Sequence, residues 1–220
     1  MNVLVEGCVE GLADAQAAAR GGADRLELCA NLAVGGTTPT VEVIRAVKGR
    51  VFVPVFVMAR PRGGSYIYDA AEIDATHRDI DAVVAAGADG VVVGPLTAAN
   101  EIDVASLRGF VARAGSVPVT FHRAFDQVGD PARALEILID AGVQRVLTAG
   151  GRRTALEGVD ALKALVDQAE DRIVIMAGGK VRGHNAREIL ARAGVHELHA
   201  RCENNAAQIA EIVEAARSEA

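Results

Sequence analysis

The sequence has no tryptophan, and aromatic residues make up only 3% of its 220 residues. It also has no run of Lys or Arg, and its formal net charge is −6. Proteins that bind nucleic acids typically present a basic surface, and those that bind single strands stack bases on aromatic side chains. The composition therefore argues against a nucleic-acid partner.

Long apolar segments and a cysteine framework are missing as well. No apolar run reaches the roughly 20 residues needed to cross a bilayer, and the first residues lack the basic stretch of a signal peptide. The three cysteines are odd in number and have no framework spacing, so they do not indicate a disulfide scaffold. We therefore expect a reduced cytoplasmic protein with no membrane partner.

A short phrase that begins with glycine recurs four times along the chain. Each copy places a glycine just past an alanine-rich helix, where a left-handed residue is expected, and then runs into a strand. The copies are Gly22–Leu28, Gly87–Val93, Gly142–Leu147 and Gly194–His199. The helices predicted before them are Ala13–Arg20, Ile73–Ala86, Ala132–Ala141 and Ala186–Ala193.

Four further apolar runs lie between these copies. They predict strands over Val3–Glu6, Pro54–Ala59, Pro118–Phe121 and Arg172–Met176, and an amphipathic helix over Asn205–Arg217 follows the last copy. Regular alternation of eight strands and eight helices is typical of a closed barrel. We predict an α/β fold, a single-domain (β/α)8 TIM-type barrel over residues 1–220. An open doubly wound sheet is the alternative, but a fourfold repeat favours the barrel because a barrel closes with equivalent units.

Charged residues follow the predicted strands at the end where such barrels carry their active sites. Side-chain alternation directs Glu27, Arg60 and His122 into the barrel, and Asp126 follows shortly after. We predict catalytic roles for His122, Glu27, Arg60 and Asp126, with His122 or Glu27 moving protons. The structural alternative is that Glu27 pairs with Arg60, and that Glu197 neutralises another arginine.

Glycine pairs follow strands three, six and seven, where free backbone N–H groups can approach a ligand closely. Several cations share this end of the barrel, so the cavity should be locally positive inside an acidic protein. The pattern predicts a small anionic or phosphorylated metabolite as ligand, whereas a glycine pair by itself indicates only a turn. The predicted ligand-binding residues are Arg62, Arg123, Gly178, Gly179, His199 and Arg201, with Lys180 nearby.

Cys8 and Cys29 end neighbouring strands with the same inward alternation. Adjacent strands lie about 4.8 Å apart, so the two sulfurs can hold a soft ion such as Cu(I), form a disulfide, or simply pack as small apolar groups. His199 and Cys202 form a weaker second pair. The sequence contains no CxxC or HExxH motif and no Ser/His/Asp order, so it gives no support to a zinc site or a hydrolytic triad.

Several long motifs are similar to those of the CutC copper-homeostasis family. They are Arg20-Gly-Gly-Ala-Asp-Arg-Leu-Glu-Leu-Cys29, Gly35-Gly-Thr-Thr-Pro39, Val57-Met-Ala-Arg-Pro-Arg-Gly-Gly64, Val119-Thr-Phe-His-Arg-Ala-Phe-Asp126, Arg145-Val-Leu-Thr148 and Thr154-Ala-Leu-Glu-Gly158. The resemblance extends from about Val5 to His199. It implies a TIM-type barrel, a cytoplasmic role in copper tolerance, Cu(I) bound at Cys8 and Cys29, and a homo-oligomer.

The sequence departs from the family pattern at a few positions. Ser65 follows Gly64 where the family usually has Asp, Lys180 stands in place of a third glycine, and Leu198 replaces a phenylalanine. The segment after His199 is also shorter, because the family's long loop before the last helix is missing. That loop would cover the mouth of the barrel.

Two functional hypotheses follow. The first is a copper-homeostasis protein that binds Cu(I) at the C-terminal mouth of the barrel. The alternative is an enzyme, whether lyase, isomerase or hydrolase, that acts on a small anionic metabolite held near Arg60 and His122. An inert scaffold is a third interpretation, which the inward-facing charges disfavour. We take the copper role as the predicted function, with copper ion as the predicted partner and no organic cofactor.

Overall fold

The computed structural model describes residues 3–218 and shows eight parallel strands closed into a barrel. The strands are β1 (Leu4–Val9), β2 (Arg25–Leu28), β3 (Val55–Met58), β4 (Gly90–Val93), β5 (Val119–Phe121), β6 (Arg145–Thr148), β7 (Val174–Gly178) and β8 (Glu197–Arg201). β1 pairs with β2 on one side and with β8 on the other. The predicted TIM-type barrel is therefore confirmed, and the open doubly wound sheet is wrong.

One helix follows each strand and covers the outside of the barrel. The helices are α1 (Leu12–Arg20), α2 (Val41–Lys48), α3 (Ala70–Ala85), α4 (Val104–Ala114), α5 (Pro131–Asp140), α6 (Val159–Ala169), α7 (Gly183–Ala193) and α8 (Ala206–Arg217). Two short 3-10 helices, Leu32–Val34 and Arg123–Gln127, lie in the loops after β2 and β5. Residues 1–2 and 219–220 of the predicted 1–220 domain lie outside the described residues. None of the helices within 3–218 is long and apolar enough to cross a membrane.

Two strands extend further than the sequence predicts. β1 continues past Glu6 to Val9, and β7 begins at Val174 and runs to Gly178. The predicted bounds stop too early because polar and small residues interrupt the apolar runs that define the strands in the sequence. In a closed barrel, an inward-facing polar residue does not interrupt the backbone ladder, since its side chain projects into the interior.

Alternate side chains along the strands build the two layers of the core. Leu26 and Leu28 of β2 and Val55 and Val57 of β3 belong to the apolar cluster that the helices cover, and all four are fully buried. Their neighbours in sequence face the barrel interior instead. This alternation directs Glu27 and Cys29 inward, as the sequence predicts.

The recurring phrase has a structural role at the N-terminal end of the barrel. In three of its copies, the third residue accepts a hydrogen bond from the backbone N–H at the start of the preceding strand. The bonds join Asp24 to Val5 (2.8 Å), Asp89 to Val55 (2.7 Å) and Gln144 to Val119 (2.6 Å). These side chains satisfy N–H groups at the start of β1, β3 and β5, at the end of the barrel opposite the polar strand ends.

Buried charged side chains fill the barrel interior near the N-terminal ends of the strands. One carboxylate oxygen of Glu197 accepts hydrogen bonds from Arg25 and Arg145, both at 2.5 Å, and Arg25 also pairs with Glu6. The guanidinium of Arg25 lies 4.9 Å from the centre of the Phe56 ring. Glu197 therefore neutralises other arginines in the way that the structural alternative predicts.

Candidate functional site at the C-terminal end of the barrel

A cavity of about 540 Å³ opens at the C-terminal ends of the strands. It brings together most of the predicted site residues, although they are far apart in the sequence. Those that line it are Cys8, Glu27, Cys29, His122, Arg123, Asp126, Gly179, His199 and Arg201. Arg60, Arg62 and Gly178 lie outside this lining.

Glu27 and His199 form an ion pair on the floor of the cavity. Nε2 of His199 lies 2.8 Å from one carboxylate oxygen of Glu27, and the other oxygen, Oε1, has no hydrogen-bond partner among residues 3–218. Burial alone would raise the pKa of Glu27, but His199 lowers it by more. Burial lowers the pKa of His199, and Glu27 with Cys8 raises it well above its usual value. The predicted pairing of Glu27 with Arg60 is therefore wrong.

Cys8 and Cys29 lie together in a small buried cluster beside this pair. The hydrogen bond with Cys29, together with burial, raises the pKa of Cys8 well above its usual value. The hydrogen bond with Cys8 lowers the pKa of Cys29, but burial and the charge of Glu27 raise it by more, to about 11. Both cysteines are free thiols, so the structure contains no disulfide between them. Met58 packs in the same apolar cluster.

His122 follows β5 and caps the 3-10 helix that begins at Arg123. Its Nδ1 accepts a hydrogen bond from the backbone N–H of Ala124 at 3.1 Å, so a neutral ring carries its proton on Nε2. Burial, followed by the positive charge of Arg60, lowers the pKa of His122 to about 4. The ring is therefore neutral at physiological pH, and Nε2 has no partner within the described chain.

Arg60 lies outside the cavity lining and joins the loop after β2 to the loop after β3. Its guanidinium donates to the backbone carbonyls of Val34, Gly36 and Gly64, at 3.1, 2.9 and 2.7 Å. The same group lies 4.7 Å from the centre of the Tyr66 ring, which separates it from the cavity. Arg60 therefore acts on His122 through its charge, and a direct catalytic role for it stays a prediction.

Asp126 organises the loop that follows β6. Its Oδ1 accepts hydrogen bonds from the Thr148 hydroxyl and from the backbone N–H groups of Ala149 and Gly151, at 2.5, 2.9 and 3.1 Å. Its Oδ2 accepts a bond from Arg123 at 2.7 Å. Both oxygens of Asp126 thus already have partners. The catalytic role predicted for Asp126 also stays a prediction.

Two of the predicted ligand-binding residues support the protein itself. Arg62 is bound by both oxygens of Glu72 and by loop carbonyls, so it orders the segment that leads into α3. Gly178 packs against β6, because a Cβ at this position would lie 2.4 Å from the Leu147 side chain. Arg201 lines the cavity, and its Nε lies 3.5 Å from Oε1 of Glu203.

Comparison with known proteins identifies the family of this barrel. The model of the CutC family matches residues 3–204. The chain belongs to the CutC family. Human and mouse copper homeostasis protein cutC homologues are each 47% identical over 196 residues, a stretch that covers 89% of this chain and 72% of theirs.

A solved CutC structure has the same fold. The crystal structure of the protein from Streptococcus agalactiae is 35% identical, has a TM-score of 0.85, and aligns over 90% of this chain and 97% of its own. A thiamine phosphate pyrophosphorylase from Pyrococcus furiosus has a TM-score of 0.69 at 16% identity. At that identity, the likeness shows only the shared barrel.

The sequence analysis missed several residues of this CutC site, Tyr66 and Arg182 among them. Tyr66 forms part of the cavity wall, with its ring centre 4.9 Å from that of His122, and Arg182 lines the cavity after β7. Both lie in loops beyond the strand ends, where alternation no longer predicts direction. The cluster of loop glycines before Tyr66 was the available signal, since such loops approach a barrel mouth closely.

Gly94 leaves the space that the His122 ring occupies in this CutC barrel. A Cβ at this position would lie 2.1 Å from Cε1 of His122. We expect Gly94→Ala to lower the free energy of unfolding by about 1–3 kcal/mol, because the buried ring must move. Urea unfolding measures this, with Gly129→Ala as control, since its added Cβ would meet nothing within 4 Å. Equal midpoints for the two variants would show that the ring moves freely.

Proposed function

We propose that this CutC family member takes part in copper homeostasis by binding Cu(I) through Cys8 and Cys29, with His199 as a third donor. The single observation that carries this proposal is the placement of two free thiols in one buried cluster that lines the cavity, next to an imidazole. One ligand atom from each of Cys8, Glu27 and His199 lies within 4.8 Å of the other two. The human and mouse relatives are named copper homeostasis proteins, which also supports the proposal.

The donor set suits a soft monovalent ion. Thiolates, thioethers and imidazole are typical Cu(I) ligands, whereas carboxylates favour harder ions. Glu27 is therefore better suited to hold His199 in place than to bind the metal, as carboxylates commonly do beside metal-binding histidines. Met58 adds a thioether to the same cluster. We also propose a cytoplasmic location, where free thiols stay reduced, and a homo-oligomeric state, which light scattering can test.

Copper binding at these thiols should be strongly pH-dependent. Both thiols have raised pKa values, so they are protonated at neutral pH and must lose their protons to bind metal. Higher pH removes this competition, so the apparent affinity should increase with pH. The increase reaches about 100-fold per pH unit if the two thiol protons leave for each ion bound, and about 1,000-fold if His199 also releases one.

An anaerobic competition titration against a Cu(I) chelator of known affinity tests the proposal. We expect the native protein to bind one ion tightly and the Cys8→Ser/Cys29→Ser variant to lose that binding. Cys202→Ser is the matched control, because this third buried thiol contacts the carbonyls of Asp14 and Asn205, away from the cavity. Binding that survives the double substitution, or that Cys202→Ser abolishes, would exclude the proposed site.

A further inference from the structure

Two residues of the cavity lining carry buried polar atoms that the copper site does not use. Nε2 of His122 and Oε1 of Glu27 have no hydrogen-bond partner in the chain from residue 3 to residue 218. Both residues line the cavity, and their exposed fractions are only 4% and 3%. Leaving such groups unpaired is costly in a folded protein, by about 1–3 kcal/mol each. An unpaired donor and an unpaired acceptor in one cavity indicate a ligand that supplies both partners.

The two atoms specify complementary groups on that ligand. Nε2 of His122 carries a proton, because Nδ1 already accepts from Ala124, so it needs an oxygen acceptor. The free oxygen of Glu27 needs a hydroxyl or another donor, because a carboxylate only accepts. A hydroxylated molecule with a further oxygen satisfies both atoms.

Two cations at the rim of the cavity indicate that the ligand also carries an anionic group. Lys180 and Arg182 follow β7 and line the cavity, and neither has a carboxylate within 4.0 Å among the described residues. Lys180 has a φ of 54°, a left-handed conformation that costs a residue with a side chain about 1–2 kcal/mol. A glycine would avoid this cost, so this chain has a conformationally costly lysine at a position that lines the cavity.

The size of the cavity fits a small organic molecule. Its volume of about 540 Å³ lies within the usual range for small-molecule sites, roughly 300–1,000 Å³, and one metal ion would fill little of it. We infer that the cavity binds a small hydroxylated organic anion, such as a sugar phosphate or a sugar acid. A ligand oxygen accepts from Nε2 of His122, a hydroxyl donates to Oε1 of Glu27, and the anionic group lies between Lys180 and Arg182.

Isothermal titration calorimetry on the copper-free protein tests this assignment. The probes are ribose 5-phosphate and gluconate, with uncharged ribose and inorganic phosphate as the two partial ligands. We expect at least one organic anion to bind with a dissociation constant below about 1 mM, and both partial ligands to bind at least about tenfold more weakly. The phosphate and carboxylate probes distinguish the two sources of the anionic group.

Three variants connect the binding to the named atoms. Lys180→Gln removes an exposed charge and His122→Phe removes the donor while it keeps an aromatic ring, so each should weaken binding about tenfold or more. Lys163→Gln is the matched control, because this lysine pairs with Asp167 on the outside of the barrel. The assignment fails if neither anion binds, if inorganic phosphate binds as tightly as ribose 5-phosphate, or if Lys180→Gln binds like Lys163→Gln. The copper titration depends on the thiols instead, so either proposal can fail alone.

Discussion

Replacing Glu197 with Gln should lower the free energy of unfolding by about 3–5 kcal/mol, the cost of removing one partner from a buried ion pair. Burial alone would raise the pKa of Glu197, but the hydrogen bonds from Arg145 and Arg25 lower it by more, so the side chain is charged. In the Glu197→Gln variant, Arg25 still has its ion pair with Glu6. Arg145 has no other carboxylate within 4.0 Å among the described residues and is left as a buried, unpaired charge.

Chemical unfolding and thermal unfolding both measure this effect. For a chain of this size, the loss corresponds to a fall in the melting temperature of about 10 °C. Glu136→Gln is the matched control, because Glu136 also binds an arginine, Arg172, through both oxygens but does so on the surface. Surface pairs contribute little since water screens them. The role assigned to Glu197 is wrong if the two variants unfold at the same midpoint.

A double substitution separates the lost charge from the lost packing. Glu197→Met with Arg145→Met removes both members of the pair and leaves Arg25 with Glu6. Apolar replacement of a complete buried ion pair is often neutral or stabilising. We therefore expect the double variant to be more stable than Glu197→Gln. The opposite order would indicate that packing, and not the unpaired arginine, sets the cost.

His122 should make the stability of the protein depend on pH in a defined range. Its pKa is lowered from the ordinary value of 6.5 to about 4 by burial and by Arg60. The unfolded chain therefore binds a proton at a pH where the folded protein does not. This contribution is fully present above pH 6.5 and is lost as the pH falls toward 4. This difference between the pKa values of the unfolded and folded states corresponds to roughly 3 kcal/mol in the free energy of unfolding.

The difference between native protein and His122→Phe isolates this contribution. We expect the free energy of unfolding of the native protein to fall more steeply between pH 6.5 and pH 4 than that of the variant, by roughly 3 kcal/mol in total. His184→Gln is the control, because that histidine is exposed on α7, on the outside of the barrel. Parallel curves for native protein and His122→Phe would mean that the ring is protonated as readily when folded as when unfolded.

The sequence alone was enough to predict the barrel and to predict which strand residues point into it. Cys8, Glu27 and His199 meet in the cavity because they lie on strands, where alternation fixes the side-chain direction. Arg60 was harder to place, because it lies beyond β3 and binds backbone carbonyls of returning loops. Carbonyl groups are present at every residue, so no sequence pattern marks the ones that meet an arginine.

Asp126 shows the same limit. Its cluster with Arg123 indicates a polar loop, but its main partners are a hydroxyl and two backbone N–H groups from the loop after β6. The path of that loop depends on tertiary packing, which single-sequence reasoning does not contain. Residues on the regular elements were therefore predictable, whereas those in the loops needed the structure.

The hydrogen bonds that Asp24, Asp89 and Gln144 accept from strand N–H groups also bear on how the chain folds. Their partners are 19, 34 and 25 residues away, so each ties a strand to its successor by closing a short loop. Asp24 also binds Arg217 of α8, 193 residues away, beside the seam where β1 meets β8. Loop-closure entropy makes that contact about 2 kcal/mol more costly than the short ones. Three quarters of the barrel can therefore close their own bases locally, and the seam between the first and last strands is the step with the highest entropic barrier.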